Sequence, residues 1–133
     1  MKLLLDTHTF LWMDSQPDKL PLLVQEICRD PKNVILLSFV IVWEIQIKWQ
    51  IGKLQLNQSL KQKIRSQQNS NQLQLLPITL EHIFALNDLP LHHRDPFDRL
   101  LIAQARVEGA TLLSKDGAFE DYEVPLIWHR LPR

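Results

Sequence analysis

An α/β fold, with helices on both faces of a central parallel sheet of four to five strands, is predicted by three features of this sequence. Short apolar runs of strand length recur at Leu3–Leu5, Val34–Leu37, Leu75–Ile78 and Thr111–Ser114. Longer amphipathic segments of helical period separate them. That alternation is what a sheet wrapped by helices requires, giving a three-layer α/β/α sandwich. A chain of 133 residues has enough apolar residues for one core, so residues 1–133 are expected to form a single domain.

Leu3-Leu4-Leu5 is short and wholly apolar, as a central strand buried on both faces should be. Asp6 ends it and stands where an N-cap belongs, ahead of a short helix from Thr7 to Met13 with Phe10 and Leu11 inward. The position also suits a functional acid, because open α/β sheets place their sites beyond the carboxyl ends of strands. Pro17 to Pro21 reads as a loop, and Leu22 to Arg29 as a helix with Leu23, Val24 and Ile27 inward. Val34–Leu37 is the second strand, and Ser38 follows as a cap residue.

Residues 39–51 carry two patterns. Ile45, Ile47, Trp49 and Ile51 alternate with polar residues, which is strand periodicity and by pattern alone slightly favours a strand. Val40, Ile41, Trp43, Glu44, Ile47, Lys48 and Ile51 also form a continuous helical face. Glu44 is unusual under both, since Glu is rarely buried without a partner. Gly52 breaks the element. Asn57 to Gln74 is the most polar segment. Its Lys61, Lys63 and Arg65 read as a solvated helix face or as a rim that meets phosphates.

The third strand, Leu75–Ile78, is closed by Pro77, and Thr79 caps a helix from Leu80 to Leu89. Asp95 is the natural N-cap of the next helix because Pro96 fits its first turn. Asp98 then points along the same face as Leu101, Ile102 and Ala105, and Gly109 suits the left-handed residue after the last turn. After the fourth strand, Lys115-Asp116-Gly117 is a turn. Val124–Trp128 is an edge strand, since Pro125 cannot donate to a ladder.

Composition excludes several functions. The net charge is zero, so nothing global announces a polyanion partner. Cys28 is alone, which removes disulfides and multi-cysteine zinc sites. Three glycines do not make a phosphate-cradling loop. Asp6 interrupts the N-terminal apolar run too early for a signal peptide, and no run approaches the ~18 apolar residues of a membrane span. A soluble cytoplasmic protein is the simplest expectation.

If the first and fourth strands lie side by side where the winding reverses, Asp6, Glu44, Asp98 and Asp116 converge on one crevice. Clustered carboxylates cannot all ionise without a cation. Oxygen ligands select Mg²⁺ or Mn²⁺ over zinc, and such ions activate water against phosphodiesters. His92 and His93, being adjacent, would point apart and are not assigned as ligands. Arg94 and Arg99 flank the acids as rim charges. Trp43, Trp49 and Trp128 are expected in the core or at interfaces rather than as base-stacking platforms.

Four segments carry a family resemblance: Leu4-Leu5-Asp6-Thr7-His8, Ser38 with Trp43-Glu44-Ile45, Asp95 through Ala105, and Leu113-Ser114-Lys115-Asp116. They resemble PIN-domain ribonucleases, and among those the VapC toxins of bacterial toxin–antitoxin pairs. The resemblance implies a PIN-like fold and a helix around Glu44. It implies that Asp6, Glu44, Asp98 and Asp116 are the catalytic, Mg²⁺- or Mn²⁺-binding acids, with Ser114 as the small hydroxyl beside the last one. Asp95 is set aside as a cap, because the family's third acid directly precedes the apolar helical run. An RNA substrate, a homodimer and a cognate VapB-like antitoxin are implied as partners, an exposed patch at Trp49, Ile51 and Leu54 being suited to the last. Two other classes stay open: a metal-dependent phosphatase or phospho-receiver domain, and a non-catalytic binding module. The former usually needs adjacent or i, i+2 carboxylates after the first strand, which Asp6-Thr7-His8 lacks.

Overall fold

The computed structural model describes residues 1–91 and 95–129; His92, His93 and Arg94 lie outside the described residues. Five strands, β1 (Lys2–Leu5), β2 (Val34–Ser38), β3 (Gln74–Leu76), β4 (Thr111–Leu113) and β5 (Leu126–Ile127), form one sheet. Its order is β3-β2-β1-β4-β5, and every pairing is parallel. The helices are α1 (Thr7–Ser15), α2 (Leu22–Arg29), α3 (Phe39–Gln50), α4 (Leu60–Ser70), α5 (Leu80–Phe84) and α6 (Pro96–Glu108).

Leu3, Leu4 and Leu5 are all fully buried. Successive strand residues face opposite ways, so both faces of the sheet are covered and the three-layer arrangement follows. β1 lies between β2 and β4, with Leu4 level with Leu36 on one side and Leu112 on the other. The chain winds outward from β1 to β3, then returns to β4 on the far side. The β1/β4 seam is therefore the switch point.

Several elements are shorter than the sequence suggests. β3 ends at Leu76, because Pro77 lacks the N–H that would continue the ladder. The expected helix over 80–89 is α-helical only to Phe84, and Ala85–Asp88 tightens into a 3-10 turn. β5 keeps two residues of the five expected.

Residues 39–50 are helical, against the alternation in their sequence. Val40, Ile41, Glu44 and Ile45 are the buried face, whereas Trp49 and Ile51 are exposed. Ser38 caps this helix by accepting from the Val40 N–H (3.0 Å), and its hydroxyl donates to Gln104 Oε1 on α6. Gln104 in turn meets buried His82, whose Nδ1 accepts from the Thr79 N–H (3.0 Å) and whose Nε2 lies 2.9 Å from Glu108 Oε2. This chain of bonds fixes the start of α3 against α6.

Lys63 is the clearest departure from the sequence reading. It is 1% exposed and bonds Asp14 Oδ2 on α1 at 2.8 Å, while Gln67 Nε2 donates to Asp14 Oδ1. It fastens α4 to α1 and is unavailable to phosphates, although Lys61 and Arg65 remain exposed. Cys28 is half-buried, and burial pushes its thiol up to about 12, which makes it a poor nucleophile. Among the described residues no helix is long and apolar enough to cross a membrane.

Candidate functional site

Beyond the carboxyl ends of β1 and β4 opens a cleft of about 620 Å³. Asp6, Glu44, Asp98 and Asp116 all line it, so the four acids singled out in the sequence share one space. Each arrives by a different local device.

Asp6 follows β1 and caps α1, its Oδ1 accepting from the Thr9 N–H at 2.9 Å. Its Oδ2 accepts from the Ser114 hydroxyl, across the β1/β4 seam. The side chain of Thr9 also bonds Leu113 O (2.8 Å), tying α1 to β4. Asp6 is only 9% exposed. Burial pushes its carboxyl above the ordinary range, against the pull of the Ser114 and Thr9 donors.

Glu44 sits on the buried face of α3 and is 6% exposed. Its Oε1 accepts from the Thr7 hydroxyl, and Lys48, one turn along, lies 3.5 Å from Oε2. Asp98 lies in the first turn of α6, where the N-terminal end of the helix favours negative charge. Asp116 is exposed and caps the 3-10 turn Gly117–Asp121 through Ala118 N–H (2.9 Å), while its own N–H donates to Ser114 Oγ (3.0 Å). Ser114 thus joins Asp6 to the Asp116 turn.

Asp95 does more than the sequence reading allows. Its Oδ1 caps α6 by accepting from Phe97 and Asp98 N–H groups at 2.8 and 3.2 Å. Carboxylate oxygens of Glu44, Asp95 and Asp98 also lie within 4.8 Å of one another. The signal was present in the i, i+3 spacing of Asp95 and Asp98, which sets two acids on one turn. His8, Trp12, Lys48, Lys115 and Trp128 line the same cleft. Trp128 is half-buried rather than enclosed, and Trp43 and Trp49 are 56% and 51% exposed. Core placement therefore fails for Trp43 and Trp49.

The sequence matches the PIN domain family over residues 3–125. The chain belongs to the PIN-domain family. PIN domains are generally nucleases and generally metal-dependent, and this PIN domain has the donors for it. Among the described residues, Glu44, Asp95 and Asp98 offer carboxylate oxygens close together, a set suited to a hard divalent cation.

Solved structures share the fold. VapBC2 from Rickettsia felis, bound to a DNA fragment from its promoter, superposes with a TM-score of 0.74 at 18% identity, covering 96% of this PIN domain and 99% of that chain. DNA-bound VapBC from Salmonella typhimurium gives 0.68 at 14% identity, covering 96% and 97%. VapBC-1 from nontypeable Haemophilus influenzae gives 0.63 at 16%, covering 97% and 98%. No curated protein sequence matches the chain.

Proposed function

We propose that this PIN domain is a Mg²⁺-dependent endoribonuclease, the toxin of a VapBC-type pair acting in the cytoplasm. The observation that carries the reading is the convergence of Asp6, Glu44, Asp95, Asp98 and Asp116 on one cleft at the switch point. Glu44, Asp95 and Asp98 would hold the cation, with Asp6 and Asp116 completing its surroundings. When bound, such an ion supplies a water nucleophile at neutral pH and offsets charge on the scissile phosphate. Thr7 and Ser114 hold Glu44 and Asp6 in place. Lys48 and Lys115 stand in the same cleft to attract the RNA backbone.

Two surfaces support the expected partners. A groove of about 430 Å³ is lined by Trp49, Leu56 and Leu60 together with polar residues. With exposed Ile51 it suits the apolar segment of an antitoxin; Leu54, expected there, packs against the core instead. Leu80, Ile83, Phe84 and Val107 are exposed on α5 and α6, a second apolar surface suited to a homodimer.

Water as nucleophile leaves a 5′-phosphate and a 3′-hydroxyl. Purified protein with total RNA should give ligatable 5′-phosphate ends, lose cleavage in EDTA, and recover it with Mg²⁺ or Mn²⁺ but not Ca²⁺, whose looser geometry positions water poorly. Cyclic-phosphate ends, or cleavage that persists in chelator, would refute the mechanism. Growth arrest relieved by a co-expressed neighbouring reading frame tests the toxin assignment separately.

A further inference from the structure

We propose that His8, Trp12 and Trp128 form a shelf on which an unpaired RNA base stacks beside the acids, an inference that rests on the ribonuclease reading. His8 and Trp12 are one turn apart on α1, directly after Asp6, with ring centroids 5.7 Å apart. Trp128 directly follows β5, the strand next to β4, and its ring lies 6.0 Å from that of Trp12. All three line the acidic cleft. The two tryptophans pack partly on the core, so they are held in place while still bordering the open space.

The need for such a shelf follows from charge. A cleft lined by five carboxylates repels a polyanion, and Lys48 and Lys115 are the lysines lining it. The chain as a whole is neutral and offers no excess of positive charge to compensate. Base–aromatic stacking is indifferent to the sign of the surrounding charge and accepts every base. It requires the base face to be free, which a duplex denies. Sequence-tolerant recognition of single strands, loops and bulges is the expected consequence.

The test uses full-length protein carrying Asp98→Asn, so that bound RNA stays intact. The probes are a fluorescein-labelled single-stranded 12-nucleotide RNA of mixed sequence, the same strand in a duplex, and a 12-unit abasic ribose-phosphate. The single strand should bind at least about tenfold more tightly than either of the others, and it should quench tryptophan fluorescence where the abasic chain does not. Adding Trp12→Leu or Trp128→Leu should weaken single-strand binding about five- to a hundredfold. The salt dependence should be unchanged in those variants, whereas Lys48→Ala should flatten it. Equal binding of the abasic and base-bearing strands overturns the shelf, and that comparison needs no folded tryptophan variant. Cleavage by the wild type with base-independent binding refutes the shelf alone. Base-dependent binding without metal-dependent cleavage refutes the nuclease reading and leaves the shelf as a binding device.

Discussion

Replacing Asp6 by Asn separates what this side chain does for the fold from what it does for the cleft. Asn caps helices about as well as Asp, so the bond from Thr9 N–H survives. The Ser114 hydroxyl donates to Asp6 Oδ2 now; it can rotate and accept from an amide instead, so the seam contact survives too. The change therefore removes a charge whose burial is unfavourable and little else. Without divalent metal, Asp6→Asn should melt at or above the wild-type temperature. With metal the order should reverse. A cation at a hundred times its dissociation constant stabilises a native protein by about 2.7 kcal/mol, which for a chain of this size is roughly 10 °C. If loss of one carboxylate weakens affinity about a hundredfold, the upper end even for outer-shell partners, the same concentration stabilises the variant by only about 0.4 kcal/mol, roughly 1–2 °C. Thermal melts in EDTA, Mg²⁺ and Mn²⁺ decide it. An equal metal shift in both proteins would show that Asp6 faces no ion, and a variant that melts far below wild type in EDTA would refute the argument from burial.

Asp95→Asn should keep its cap and melt within about 0.5 kcal/mol of wild type in chelator, yet lose most of the metal-dependent rise, as Asp98→Asn should; a full rise in Asp95→Asn would confine Asp95 to capping. Acidification should help the metal-free wild type relative to Asp6→Asn. The raised carboxyl contributes stability that is fully present below its ordinary value of 3.8 and is lost as pH rises through the raised one. Glu108 works in the opposite sense: the His82 hydrogen bond, with Lys2 nearby, holds it below 4.5, so its contribution is present above that value and lost as pH falls through the lowered one. Melting curves from pH 7 down to pH 4 for wild type, Asp6→Asn and Glu108→Gln separate the two. Lys63→Met should destabilise by about 3–5 kcal/mol because it strands buried Asp14, and adding Asp14→Asn should recover most of it; a single variant within 1 kcal/mol of wild type by urea unfolding would mean the pair contributes little.

Much of the fold was legible because β1, β2 and β4 carry apolar residues that are buried on both faces, a pattern that solvent-exposed strands do not carry. The places of Asp6 and Asp116 were legible for a related reason: an acid that follows a strand and caps the next turn announces itself locally. What was not legible depends on distant partners. Nothing near Lys63 reveals Asp14, 49 residues earlier in the chain. The alternation from Ile45 to Ile51 imitates a strand because the half of α3 that leaves the core exposes apolar residues. Asp95 looked like a cap and is one, but a carboxylate has two oxygens, and only the approach of α3 to α6 brings Glu44 within reach of this acid. Trp12 and Trp128 stand at opposite ends of the chain, and no periodicity connects them.

The bond from Ser114 to Asp6 closes a loop of 108 residues. Synthesis runs in one direction, so Asp6, Glu44, Asp95 and Asp98 all exist before the seam that organises them. Until β4 is translated, β1 lacks its partner on that side, and Asp6 has neither Ser114 nor Asp116 beside it. A ribosome that stalls anywhere before residue 116 therefore releases a chain without the complete set of carboxylates. On the ribonuclease reading, the topology postpones assembly of the cleft until residue 116 has been added.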